Sequence, residues 1–375
     1  MIKTKNFELI FFLAIFLLPT AGVISGVLLI ALLIKSLYER RSEFLKDKWN
    51  YPFIIATALM IISCLVHMNY GIDIPKNGSG FWLTWLSWLG LFNWIPMFLC
   101  FWGFQPYLES SKQREFFSYA LLLGSLPVIF SGFAQYLFNI TGPFETLGGL
   151  IIWFQRPIEG NGGLTGVFNA SNYAGSWFNI VWPFCLALLI ENSNLLYKKF
   201  TFILISFSVF LSIILTNSRN AWLGMILSIP LLLGRRSLIW LTPILITALF
   251  GILIAVLPFI PINLQNIMRF LIPDGVWSEF IFNQFIGREG RIEIWGNSLK
   301  FLEANPFFGI GPGSFPIFYE SNHGVWIDHA HNLFLNLSLN YGVPVSIIIF
   351  FTVLNLNLKL LLKDTKMINK SLKVK

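Results

Sequence analysis

"LIWLTPILITALFGILIAVL", residues 238–257, runs for twenty residues without a charge. That is the length an α-helix needs to cross a hydrocarbon layer of about 30 Å, at roughly 1.5 Å per residue. Similar stretches lie on either side of it. Toward the N-terminus they fall at 220–233, 200–216, 170–190, 116–138, 81–103, 50–68, 21–34 and 7–20, and toward the C-terminus at 331–362. The first two are separated by "LPTAG", where Pro19 and Gly22 suit a break, so residues 7–34 read as two passes or as one bent pass. "GVP" at 342–344 breaks the last stretch into a short helix and a full crossing. The expected architecture is an all-α, polytopic transmembrane helix bundle of about 10 spans. The whole-chain composition agrees: 55% of residues are hydrophobic and 12% charged, against roughly 25% charged in soluble domains.

The loops orient the bundle. Of the 26 basic residues, 19 lie in one alternating set: the N-terminus, 35–49, 104–115, 191–199, 234–237 and the C-terminal tail. The short loops of the opposite set carry only Lys76, Arg156 and Arg219. Lys and Arg accumulate on the cytoplasmic side of membranes, so both termini are expected in the cytoplasm. The net charge of +8 then reads as orientation anchoring beside anionic lipid, not as nucleic-acid binding. Cys64, Cys100 and Cys185 stand apart in apolar segments and read as packing residues, with no disulfide or zinc framework. The first apolar stretch lacks a cleavage-site pattern and is kept as membrane structure. Frequent tryptophans near span ends fit an aromatic belt, and His67 reads as interfacial. One membrane domain, 1–375, is expected, with an extracytoplasmic cap at 258–330 that contains amphipathic helices.

That cap concentrates the residues able to do chemistry. "GREGRIEIW", 287–295, opens a helix. At about 100° per residue, Arg288, Arg291, Ile292, Trp295, Leu299 and Leu302 share one side, and Glu289, Glu293, Asn297 and Lys300 the other. Arginines on the apolar side of an interfacial helix can snorkel to headgroups, pair with acids of the body, or grip a phosphate with their planar forks. "TNSRNAW", 216–222, places Arg219 at the outer mouth of a helix, with Asn217 or Ser218 as N-cap. An arginine beside a helix N-terminus suits an anion, though a lone one can also anchor the helix at headgroups.

"DHAHNLFLNL", 328–337, brings His329 and His331 to the start of the last helical segment. Histidine can take a proton from a hydroxyl near neutrality. It can also cap a helix or bind metal, but no third ligand follows at a recognisable spacing. Asn332 could orient a neighbour or cap the helix. "GIGPGSF", 309–315, lacks a nucleotide-loop frame and reads as a tight connection between the amphipathic helix and the histidines. In "NGGLTGVFNASNYAG", 161–175, Asn172 could meet a sugar hydroxyl or cap a helix.

The order of "LTGVFNASNYAG", "TNSRNAWLG", "GREGRIEIWGNSLKFLEANPFFGIGPGSF" and "HAHNLFLNLSLNYGVP" resembles the O-antigen ligase and polymerase superfamily, over roughly residues 160 to 345. The resemblance implies a polytopic glycosyltransferase related to the GT-C type, independent of metals and other cofactors. Its donor would be a glycan on a polyprenyl diphosphate at the outer face of the bacterial inner membrane, and its acceptor another glycan, a lipid or a protein. It makes Arg219 the arginine of the S-R motif, Arg291 that of R-x-x-x-W, and His331 the histidine of H-N. On this reading Arg219, Arg291 and Arg288 hold the diphosphate and His331 deprotonates the acceptor hydroxyl, with inversion at the anomeric carbon. His329, Asn332 and Asn172 would support them, and Asp328 could polarise a histidine. Members of the superfamily were once taken for bicarbonate transporters, so permeation of a small anion is the alternative. A transporter should carry charges mid-span, and here the span interiors are nearly free of them. A lipid-carrier flippase would want a charged cavity between helices, which the sequence does not display.

Overall fold

The computed structural model describes residues 2–70, 85–159, 162–191, 196–272, 277 and 291–372. Its helices are α1 (Ile2–Leu17), α2 (Gly22–Glu39), α3 (Tyr51–Tyr70), α4 (Leu86–Leu91), α5 (Ile95–Gly103), α6 (Ser111–Phe138), α7 (Ser171–Glu191), α8 (Leu196–Leu215), α9 (Arg219–Leu233), α10 (Leu238–Val256), α11 (Ile262–Leu271), α12 (Arg291–Ala304), α13 (Phe315–His323), α14 (Leu333–Tyr341) and α15 (Val343–Leu372). Among the described residues, six helical stretches are long and apolar enough to cross a membrane: Gly22–Glu39, Lys48–Met68, Leu86–Gly103, Ser111–Phe138, Ser171–Ile190 and Leu238–Val256. Shorter apolar helices cover Asn6–Leu17, Lys199–Leu215, Arg219–Leu233 and Val343–Lys359. Each segment expected to span the membrane is therefore helical over most of its described residues, and the chain is a multi-pass all-α membrane protein. The stretch at 81–103 is broken: α4 ends at Leu91, and α5 restarts with Pro in its first turn, where a missing N–H costs nothing.

The chain divides into two compact units, Met1–Lys35 with Gln105–Gln284 and Leu360–Lys375, and Ser36–Phe104 with Phe285–Lys359. In the first unit α6 lies innermost, its span more than half buried. A capping box of Ser110 and Gln113 starts it. Small buried residues line it, including Ser118, Gly124, Ser125, Ser131 and Gly132. Small residues let membrane helices approach closely; a Cβ on Gly124 would meet the Phe16 carbonyl oxygen at 2.3 Å. Trp177 Nε1 of α7 donates to Ser125 Oγ at 3.0 Å.

α7 and α9 run parallel. Gly175 of α7 faces Ser218 and Ala221, and one turn on, Asn179 faces Gly224 of α9. Their N-termini therefore open at the same end. α10 exposes Ile239, Ile244, Leu249 and Phe250, as expected for a helix facing lipid. After it, α11 buries Gln265 and exposes Ile267, Phe270 and Leu271, the pattern of a helix lying at a membrane surface.

The loop after α6 holds a short antiparallel hairpin that the sequence did not announce. Strands β1 (Phe144–Thr146) and β2 (Ile151–Trp153) pair with Phe144 opposite Trp153. Two buried glutamines then fix the chain. Gln135 donates to the Arg156 carbonyl and to Thr165 Oγ1 (3.0 Å), and its Oε1 accepts from the N–H groups of Thr165 and Gly166 at 3.0 and 3.2 Å. Ser131 donates to Gln155, which donates to the Ile140 carbonyl at 2.6 Å.

In the second unit, α12, α13 and α14 surround one cluster that includes Ile294, Leu302, Ile310, Phe315, Tyr319 and Leu335. A second cluster joins Ala56, Met60 and Leu91 to Leu337, Tyr341 and Val345.

Candidate active site

In the second unit the site is built by α12 and by the loop that leads into α14. The sequence expectation for α12 needs a correction. Its packed stripe runs through Ile294, Asn297, Ser298 and Leu302, with Trp295 and Phe301 partly buried against the same cluster. Asn297, assigned to the watery side, is buried and donates to the Tyr319 hydroxyl at 3.2 Å. Leu299, assigned to the apolar side, is exposed. The reason is that α12 packs on α13 and α14, so a hydrogen-bonding partner can draw a polar residue inward. Arg291 shares the direction of this stripe but is exposed, as the first residue of α12. Among the described residues no carboxylate forms an ion pair with it. Arg288 lies outside the described residues.

The R-x-x-x-W spacing has a structural consequence. Trp295 stands one helical turn beyond Arg291, on the same side. Its Nε1 donates to the Ala330 carbonyl at 2.9 Å, and Ala330 is fully buried. His329 and His331 flank Ala330, both exposed, with ring centroids 4.3 Å apart. The tryptophan thus ties the histidine loop to the helix that carries the arginine.

His331 itself has φ +48°, a left-handed conformation that costs a non-glycine residue about 1–2 kcal/mol. Asn332 follows as N-cap of α14, its side-chain oxygen accepting from the Leu335 N–H at 3.1 Å. Of the two roles open to Asn332, capping is the one its oxygen fills. The Asp328 carboxylate accepts from Trp326 Nε1 at 2.6 Å.

The electrostatics favour a neutral imidazole. The His331 pKa is held below the ordinary histidine value, first by lost hydration, then by the neighbouring His329 and by the Arg291 charge; Asp328 pulls the other way. An unprotonated ring beside a guanidinium can accept a proton from a hydroxyl while the cation holds an anion.

The turn "GIGPGSF" braces this arrangement, although it does not connect directly to the histidines. It joins α12 to α13, which intervenes before the histidine loop. Gly309, Gly311 and Gly313 all have positive φ. Gly309 lies against the Leu339 and Ser338 carbonyls of α14, and the Ile310 N–H donates to the Leu339 carbonyl at 2.7 Å. His67, expected at the interface, is buried 3.1 Å from the Phe308 carbonyl, to which Nε2 must donate. Ser63 donates to the same oxygen at 2.8 Å. Nothing in the sequence marked these two as supports of the turn.

Arg219 and Asn172 belong to the first unit. Arg219 is the first residue of α9 and half-buried, and Asn172 lies exposed in the first turn of α7. Since α7 and α9 are parallel, both residues lie at the same end. Ser218 occupies the N-cap position without a side-chain cap. Asn217, the other expected cap, has φ +51° and donates to the Gly162 carbonyl at 3.2 Å. The exposed Arg156 is held close by, its Nε donating to Asn169 Oδ1 at 2.7 Å.

Comparison with known proteins bears on the same residues. The chain is 30% identical over 178 residues to the ComP-specific O-oligosaccharyltransferase of Acinetobacter baylyi, a match covering 46% of this chain and 31% of that protein. The chain therefore aligns with about a third of its relative's length. Residues 200–350, which contain Arg219, Arg291, His329 and His331, match the O-antigen ligase family, and over that stretch the resemblance read from the sequence holds.

Proposed function

We propose that the protein is a glycosyltransferase of the O-antigen ligase type, moving a glycan from a polyprenyl-diphosphate carrier to an acceptor hydroxyl. The observation that carries this reading is the tether from Trp295 to Ala330, which keeps His329 and His331 beside the arginine-bearing end of α12. His331, neutral at physiological pH, takes the proton of the acceptor hydroxyl as its oxygen attacks the anomeric carbon. A base in this role contributes about 10²–10⁴-fold. Arg291, with Arg219 and Arg288, binds the diphosphate and balances the charge that builds on it as the glycosidic bond to phosphate breaks. One displacement inverts the anomeric centre. His329 sets the charge state of His331, Asn332 fixes the loop at the head of α14, and Asn172 supplies a polar contact for the glycan.

The charge distribution supports an active face outside the bacterial inner membrane, with both termini in the cytoplasm. The exposed surface of α11 supports an interfacial position for the outer segment, where a lipid-linked diphosphate presents its anion. The test is transfer by purified full-length protein from a polyprenyl-diphosphate glycan to candidate acceptors, with a chelator present. Arg291→Ala and His331→Ala should each abolish transfer while leaving insertion and thermal unfolding unchanged. Normal transfer by both variants refutes the mechanism. Bicarbonate uptake by liposomes without glycan transfer would replace it with permeation.

A further inference from the structure

Helix registers in the first unit fix the level at which the bilayer ends. α6 and α7 run antiparallel: Trp177 Nε1 donates to Ser125 Oγ, and the Phe184 and Phe117 rings lie 5.4 Å apart. Six residues before Trp177, the first residue of α7, Ser171, therefore comes level with Ser131 of α6. α7 has 21 residues and so spans about 31 Å, close to the roughly 30 Å of a hydrocarbon layer. The membrane boundary at this end thus lies near the level of Ser131. α1 and α6 run parallel: Gln113 donates to Glu8 at 3.0 Å, the Phe11 and Phe117 rings lie 6.2 Å apart, and Gly124 faces the Phe16 carbonyl. Thr20, in the turn between α1 and α2, is then level with Val128, about 5 Å inside the same boundary. Two contacts hold the β1–β2 hairpin at this depth. Trp153 Nε1 donates to the Thr20 carbonyl at 3.0 Å, and Gln155 accepts from the Ser131 hydroxyl.

We propose that this hairpin is a foot set into the lipid surface, with Phe144, Leu147 and Leu150 in the headgroup–acyl boundary of the leaflet on which α7 and α9 open. The strand register sorts its faces. Phe144 pairs with Trp153 and Thr146 with Ile151, while Glu145 pairs with Ile152; paired residues share a face. The face of Phe144 and Trp153 is the one that meets the α1–α2 turn, so Glu145, the single charge between Pro143 and Phe154, points away from the bilayer. The tip is apolar and uncovered by protein: Leu147 is 66% exposed and Leu150 50%. Leu147, Gly148 and Gly149 all have positive φ. Two strands alone are marginal in water, and lipid around the leucines offsets both their exposure and the strain at Leu147. Continuity with the span below names the occupant. Val23, Val27 and Ile30 of α2 are exposed beneath the turn, as on a helix that faces lipid, and the apolar side of the hairpin extends that surface past Thr20. A soluble partner at this depth would have to displace lipid. β2 leads on into Gln155 and the glutamine clamp, and beyond it the Leu164 N–H donates to the Leu215 carbonyl at 2.7 Å. Lipid contact at the tip therefore helps set the depth of the loop packed on the α8–α9 turn. The proposal needs only that these helices cross a bilayer and stands apart from glycan transfer.

The test uses full-length protein with Cys64, Cys100 and Cys185 replaced by alanine, reconstituted in liposomes of phosphatidylcholine and phosphatidylglycerol. A nitroxide is attached at Thr146→Cys or at Glu145→Cys, adjacent exposed positions on opposite faces of the hairpin. EPR power saturation compares collisions with oxygen, which concentrates in lipid, against those with a water-soluble nickel chelate; a label at Val27→Cys gives the lipid limit. Thr146→Cys should favour oxygen severalfold more than Glu145→Cys. Replacing Leu147 and Leu150 by glutamine should shrink that contrast. High nickel collision at both positions overturns the proposal, because the hairpin then stands in water. Low collision with both reagents at Thr146→Cys also overturns it, because protein then covers that face. A contrast unchanged by the two glutamines overturns the assignment of the tip as the inserted part.

Discussion

Replacing Trp295 by Phe removes one hydrogen bond and keeps most of the ring. The bond lost is the 2.9 Å contact from Nε1 to the Ala330 carbonyl. Ala330 is fully buried, so water cannot readily take the place of the indole, and leaving the oxygen unmet costs about 1–3 kcal/mol. The adjacent His331, at φ +48°, stores a strain of about 1–2 kcal/mol. The restraint and the strain are of one size, so without the tether the loop relaxes and His331 leaves its place near Arg291. If the competent geometry then lies about 1–3 kcal/mol uphill, transfer should fall roughly 5- to 150-fold. A second readout separates positioning from simple destabilisation. Away from Arg291 and rehydrated, His331 should titrate closer to the ordinary value of about 6.5, so the acidic limb of the kcat profile should move to higher pH. The assay is single-turnover transfer at saturating donor across a pH series, with thermal unfolding of the same samples. Trp295→Phe working at the wild-type rate with an unmoved acidic limb would refute the positioning argument. So would a loss that merely tracks thermal stability.

The charges around His331 predict opposite shifts from two neighbours. Asp328 raises its pKa and His329 lowers it. Asp328→Asn should therefore move the acidic limb of kcat/KM to lower pH and His329→Gln to higher pH; shifts of the same sign would end the electrostatic account. Two glycines of the bracing turn make a paired stability test. Gly309 has φ +67°, and a Cβ there would lie 2.2 Å from the Leu339 oxygen and 2.6 Å from that of Ser338; Gly313 has φ +76° and open space. Gly313→Ala should lose only the left-handed penalty, about 1–2 kcal/mol, while Gly309→Ala should cost distinctly more because backbone must move. Equal losses in urea or thermal unfolding would remove the close approach to α14 from the explanation.

The bundle was legible because span length is written locally in the chain. The break at Pro19 and Gly22 appears between α1 and α2, and the break at Gly342 separates α14 from α15, where Gly342 has φ +96°. Prolines inside α6, α7, α9 and α10 did not end those helices, because neighbouring groups in membrane bundles can meet the freed carbonyls. Long-range pairings were not legible. The wheel of α12 treated polarity as a guide to exposure, and Asn297 escapes that rule through Tyr319, twenty-two residues away. The hairpin at 144–153 and the glutamine clamp behind it depend on partners from α6 and its following loop.

The same division runs through the candidate site, and it explains why the motif has the form it does. Residue type, helical placement and the resemblance nominated Arg291 and His331, since a guanidinium and an imidazole advertise their chemistry. Trp295 entered the reading only as the last position of that motif and as part of the apolar side, with no role of its own. Its function is geometric and becomes visible once Ala330 is found above it. On the proposed function, a motif of arginine, three residues and tryptophan is one turn of helix with two tasks: the first position holds charge, and the last secures the loop that brings the base. The histidines need that help because they lie on a loop and not on a helix. His331 occupies a left-handed backbone position, and Asn332 is already committed to capping α14. Loops place catalytic groups well only when packed restraints fix them. In this protein the restraint on one side is an indole N–H and on the other an asparagine cap. Weakening either should disturb proton transfer without touching an atom that meets the substrate.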